Sequence, residues 1–143
     1  EISEAVLPRV AHRQWTLSLP FSMRFAVVKE PALLKKLEVR LVRAIWHWQR
    51  ATARRLGTKG QLRGGAVCFW QWFGSSLQLT PHLHLLVPEA LWYADGAVMH
   101  LPPPDEEDVV AVLLFFLLIR RPPRSTLFPC TALFGSSGGW CRA

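Results

Sequence analysis

The chain has 143 residues, half of them hydrophobic and 19% charged, with a formal net charge of +7 at pH 7. That length holds one domain with a core of its own, and that composition excludes global disorder. Cys68, Cys130 and Cys141 form no Cys-x-x-Cys pair and no disulfide framework, and the apolar run over 109–119 is about half the length of a membrane span, so a cytoplasmic protein with no membrane partner is expected.

The charge is spread unevenly. Residues 1–63 hold 13 Lys and Arg against four acids, and residues 64–112 hold six acids and no Lys or Arg. A basic half beside an acidic half that carries histidines suits a polyanion held next to a metal, although a short chain also produces such asymmetry by chance.

Residues 1–13 show no period and read as a leader. From 14 to 21 the sequence alternates, with Trp15, Leu17, Leu19 and Phe21 on one side and Gln14, Thr16 and Ser18 on the other, which predicts a first strand. Pro31 sits where helices accept proline, just inside the start, and residues 31–56 carry a helical period. Leu34, Leu37, Leu41, Ile45 and Trp48 form its apolar stripe, and Gly57 and Gly60 close it. Lys36, Arg40, Arg43, His47, Arg50 and Arg54 fall on the opposite side. They are either a solvated outer face or a row of phosphate contacts.

Gly64 and Gly65 lead into a second strand over 66–73, rich in aromatics, and the turn Gly74-Ser75-Ser76 leads into a third over 77–87. Residues 91–93 and 97–101 form another short hairpin around Asp95-Gly96. Three prolines, 102–104, precede the acids Asp105, Glu106, Glu107 and Asp108, a linker or a helix start. The expected division is a leader over 1–13, a core over 14–104, an acidic linker over 105–112 and an irregular tail over 113–143.

The third strand carries the chemistry. Alternate residues of a strand share a face, so His82 and His84 project together with Gln78 and Thr80, while Leu77, Leu79, Leu83, Leu85 and Val87 turn to the core. Two imidazoles on one polar face are half of a metal site, or two hydrogen-bonded structural histidines. Gln71, across the hairpin, is the first candidate for a third ligand and Gln78 the second. Phe69, Trp70, Trp72 and Phe73 open another possibility, a metal-free module that stacks single-stranded bases.

Three blocks carry a family resemblance. Residues 13–21 (RQWTLSLPF), 65–77 (GAVCFWQWFGSSL) and 82–87 (HLHLLV) resemble the transposase domain of rolling-circle insertion sequences, the two-tyrosine HUH type named for histidine, bulky hydrophobic, histidine. The resemblance spans about residues 10–100. Trp72 stands where that family has arginine, Gln78 and Thr80 near its asparagines, and Glu89 at its aspartate.

The resemblance implies a ferredoxin-like α+β fold, an antiparallel β-sheet with the long amphipathic helix packed on one face. It implies Mg2+ or Mn2+ held by His82 and His84, and single-stranded DNA at transposon ends as partner. Nicking and joining would pass through a phosphotyrosine; the helix's basic stripe, read as phosphate contacts, makes Lys36, Arg40, Arg43, Arg50 and Arg54 the expected DNA-binding residues. The family's tyrosines lie on a helix well downstream of the histidines, and Tyr93, the chain's single tyrosine, reads as a packing residue near a turn. The chain is therefore expected to be a fragment without its nucleophile, inactive alone; a metal-free module and an inactive remnant are the alternatives. From about Leu113 the sequence resembles the peptide produced when sequencing-adapter DNA is translated. A genuine Arg/Pro-rich tail is the alternative.

Overall fold

The computed structural model describes residues 8–74 and 76–118, and the backbone of 139–142. The elements run β1 (His12–Ser18), α1 (Phe21–Lys29), α2 (Pro31–Arg55), β2 (Gly65–Phe73), β3 (Leu79–Pro88), β4 (Ala90–Trp92), β5 (Val98–His100), α3 (Glu106–Leu118) and β6 (Gly139–Arg142). The main sheet is antiparallel with order β1-β3-β2-β6, and β4 and β5 form a separate hairpin. The fold is α+β, as expected, with the long helix α2 packed on one face of the sheet.

Strand β3 lies at the centre of the described sheet because both its neighbours feed the same core. Leu83 and Leu85 are fully buried and Val87 nearly so; they pack with Leu34, Leu37, Leu41, Ala44, Ile45 and Trp48 from the apolar stripe of α2. Burying each such large side chain contributes roughly 1.5–3 kcal/mol. Trp15 of β1 reaches the same layer, its ring centroid 5.9 Å from that of Trp48. The buried Gln49 amide donates to the Pro88 carbonyl at 2.8 Å, fixing the helix against the end of β3. Gly57, with φ +90°, ends α2: its N–H donates to Arg54 O and that of Thr58 to Ala53 O, the paired bonds of a Schellman cap.

The structure corrects four boundaries. The first strand stops at Ser18, and Pro20, extended at ψ 151°, turns the chain into the helix α1, whose first residue Phe21 is exposed rather than on the strand's apolar side. This helix has no apolar stripe, burying only Val27, so its period is not visible. Leu77 is not in β3; it sits in the turn at φ 58°, 82% exposed.

The acids, read as a linker or a helix start, open α3. The Asp108 N–H donates to Asp105 Oδ1 at 2.8 Å and the Asp105 N–H to Asp108 Oδ2 at 3.4 Å, a reciprocal cap in which carboxylates also face the positive end of the helix. Residues 113–118, expected to be irregular, continue this helix. Finally, His12 and Arg13, expected in the leader, already belong to β1. The remainder of the leader up to residue 7 and of the tail over 119–138 lies outside the described residues.

Candidate metal and nucleic-acid site

The side of the main sheet away from α2 is open, and both histidines stand on it. His82 and His84 are half-buried, alternating with the buried Pro81, Leu83 and Leu85. Register brings Ser18 and Gln71 opposite His82, and Thr16 and Phe69 opposite His84. The pairing of β2 with β3 slips by one residue between Gln71 and Phe73, beside Pro81, which has no N–H to give to the ladder.

His84 is held from both sides. Its Nε2 lies 3.1 Å from Gln71 Oε1, and its Nδ1 lies 2.9 Å from Gln14 Nε2 and 3.2 Å from Thr16 Oγ1. Phe69 stacks on the imidazole, with centroids 5.0 Å apart and 17° between planes. The Gln71 amide is itself oriented, since its Nε2 donates to the Phe73 carbonyl at 3.1 Å. Its oxygen therefore faces His84 Nε2, an arrangement that suits the tautomer with a proton on that nitrogen.

His82 differs. Its Nδ1 is buried and has no hydrogen-bond partner, an unusual state for a polar atom. The two rings are 6.2 Å apart, inclined at 75°. One shared ion places imidazole centroids about 6.4 Å apart when its two nitrogens are opposite and about 4.5 Å apart when they are neighbours, so a shared ion here would need the two nitrogens almost opposite.

Neighbouring ligands of an octahedral ion at about 2.1 Å are about 3 Å apart, the separation of His84 Nε2 and Gln71 Oε1. The described residues contain no cluster of three or more His, Cys, Asp or Glu side chains. The available donors are thus two imidazoles and an amide, without a carboxylate among the described residues to balance an ion's charge. Gln78, the second candidate, lies exposed in the turn before β3.

The aromatics divide between the faces. Trp70 and Trp72 pack against the core, while Phe69 and Phe73 are 46% and 54% exposed on the histidine face. The basic stripe lies elsewhere. Lys36 and Arg54 are exposed and Arg40, Arg43 and Arg50 half-buried, all at helix positions opposite the buried stripe that meets the sheet. Helix α3 covers part of this stripe: Arg40 donates to Leu117 O at 3.2 Å, and Phe115 stacks on His47 with centroids 4.1 Å apart. Arg50 sits over the Trp46 ring at 5.0 Å.

Tyr93 is also remote. It packs with Leu62, Leu91, Leu101 and Met99 in a second core beside the end of α2, and its hydroxyl donates to Thr58 Oγ1 at 3.4 Å. Two site partners escaped the sequence reading, Gln14 and Thr16, because nothing in the sequence says which strand β1 will join. No described helix is long and apolar enough to cross a membrane. Comparison of the chain with protein-family models, curated proteins and solved structures found no match.

Proposed function

We propose that this chain is the cation-binding and strand-holding part of a DNA transposase of the HUH type, acting in the cytoplasm on single-stranded DNA at transposon ends. The observation that carries the proposal is the juxtaposition of His84 Nε2 with Gln71 Oε1 on the open face, beside His82 with its unpartnered Nδ1. His82, His84 and Gln71 would hold Mg2+ or Mn2+. The ion, when bound, supplies polarisation of the scissile phosphate and stabilises the leaving oxygen.

The protein groups have defined tasks. Phe69 keeps His84 upright by stacking, and the exposed ring of Phe73 offers a base-stacking surface. The ligands are neutral, so a phosphate of the bound strand must provide the compensating negative charge. Cation and DNA therefore bind cooperatively, each tightening the other by the same factor. The basic stripe, on the far side, would contact a separate segment of the DNA. Tyr93 is packed away from the histidines, and the attacking hydroxyl would come from a tyrosine that this chain does not carry.

Mn2+ binding followed by electron paramagnetic resonance, with and without a single-stranded oligonucleotide, tests this proposal. Expected are Mn2+ binding that the oligonucleotide strengthens and that is lost in His84→Ala and weakened in His82→Ala. A second reading, a metal-free single-strand binder, is favoured by the exposed Phe69 and Phe73 and by the lack of a carboxylate grouped with the histidines among the described residues. It prevails if oligonucleotide binding survives EDTA and both histidine substitutions but is lost in Phe73→Ala.

A further inference from the structure

We propose that Gln14 and Thr16 of β1 are positioning residues that let His84 exchange one tautomer for the other when a divalent cation is taken up at its Nε2. This inference rests on the cation-binding proposal above. Without a cation, the Gln71 amide, pinned through its nitrogen to the Phe73 carbonyl, presents its oxygen to Nε2. That oxygen only accepts, so the proton is on Nε2 and Nδ1 is an acceptor. On the other side of the ring, Gln14 Nε2 at 2.9 Å and Thr16 Oγ1 at 3.2 Å are the donors that Nδ1 needs.

A cation at Nε2 requires the reverse arrangement. Nε2 must lose its proton, and Nδ1 must carry one and donate it. The Nε2 proton passes to solvent and a solvent proton arrives at Nδ1, so the ring stays neutral. The partners of Nδ1 can follow this change without moving their backbone. A hydroxyl rotates from donor to acceptor, and an amide turns over to present its oxygen in place of its nitrogen. A methyl or a lysine at either position could not serve both states. Such outer partners fix ligand orientation and raise ligand basicity in metal sites generally.

The test uses the full chain with 15N-labelled imidazoles at about pH 8, where an ordinary histidine is neutral. Zn2+ serves as a diamagnetic stand-in for NMR, and Mn2+ affinity is measured separately. Expected in the wild type is a proton on Nε2 of His84 without metal and on Nδ1 with Zn2+. The pair Gln14→Leu/Thr16→Val, at exposed strand positions, should weaken Mn2+ binding about 10- to 100-fold. Gln14→Glu, whose carboxylate only accepts, should place a proton on Nδ1 before metal is added and should strengthen Mn2+ binding.

Zn2+ bound with Nδ1 unprotonated, or a double variant that binds Mn2+ as tightly as wild type, overturns the tautomer proposal and leaves the cation site standing. A wild type that binds no Mn2+ overturns both. Should the double variant unfold, Gln14→Glu decides alone, since an unchanged metal-free tautomer in it also refutes the proposal.

Discussion

Gln71 meets His84 on a diagonal: its backbone is paired with His82, yet its Oε1 lies 3.1 Å from His84 Nε2. One amide thus stands across from one histidine and in contact with the other, which is the placement a shared ligand needs. Phe73 enforces it by accepting from the amide nitrogen at 3.1 Å. Gln71 therefore links the two histidines of the proposed site through one amide.

Substituting Gln71 should move cation affinity in both directions. Gln71→Leu removes the oxygen donor and is expected to weaken Mn2+ binding by about tenfold or more. Gln71→Glu replaces a neutral oxygen with a charged one and is expected to tighten it by about tenfold, since a hard cation favours carboxylate. Titration with Mn2+ under resonance detection reads both. Equal affinity in all three proteins would show that Gln71 is a structural strand residue.

The strands β1, β2 and β3, the helix α2 and the β4–β5 hairpin were legible because each has a period or a turn signal that burial then honours. Trp15 and Leu17 alternate with Gln14, Thr16 and Ser18, and the apolar stripe of α2 is the face that meets Leu83 and Leu85. Helix α1 was illegible because its apolar residues surround it on all sides. The cap at Asp105 and Asp108 hid within a run of acids. Of the candidate site, the shared face of His82 and His84 and the first choice of Gln71 follow from the strand repeat and the hairpin. The contacts of Gln14 and Thr16 depend on long-range strand order, which local sequence does not encode. The basic stripe was visible as a stripe, but its side of the domain follows only from packing.

The α3 cap gives a pH-dependent contribution. Burial alone would raise the Asp108 carboxyl, but hydrogen bonds from Trp48, Arg55 and the Asp105 backbone, with the charge of Arg55, outweigh it and hold the group below its ordinary value of 3.8. A depressed carboxyl contributes stability that is complete above its unfolded value and is lost as pH falls through the folded one. Asp108→Asn should therefore destabilise at neutral pH and converge with wild type under acid. Asp105→Ala, which removes the reciprocal cap, should cost about 1 kcal/mol. Urea unfolding at neutral pH and at about pH 3 checks both; a gap that widens in acid would contradict the assignment.

Cys68 should be inert while the chain is folded. It faces the core; burial, and secondarily the nearby Glu38 carboxylate, push its thiol up to about 12, against a smaller opposing effect of Lys35. At about pH 8 only about one such thiol in ten thousand is ionised. In a Cys130→Ser/Cys141→Ser background, iodoacetamide should modify Cys68 only as fast as the domain opens, with the rate rising in urea. Complete labelling within minutes in native buffer would place the thiol at the surface instead.

Tyr93 is expected to matter for packing and not for chemistry. Its ring lies among Leu62, Leu91, Leu101 and Met99, and a Cβ on Gly60 would come within 3.2 Å of its Cε1. Tyr93→Phe loses the hydroxyl contacts to Thr58 Oγ1 and Met99 Sδ, both long, so it should cost at most about 1 kcal/mol. Tyr93→Ala opens a cavity between the small hairpin and the end of α2 and should cost about 3 kcal/mol. Neither change touches the histidine face, so Mn2+-dependent oligonucleotide binding should be the same in Tyr93→Phe as in wild type. The decisive assay is incubation of the chain with single-stranded DNA and Mn2+, followed by a search for a covalent protein–DNA product. None is expected, and a product that forms in wild type and disappears in Tyr93→Phe would make this tyrosine the nucleophile after all.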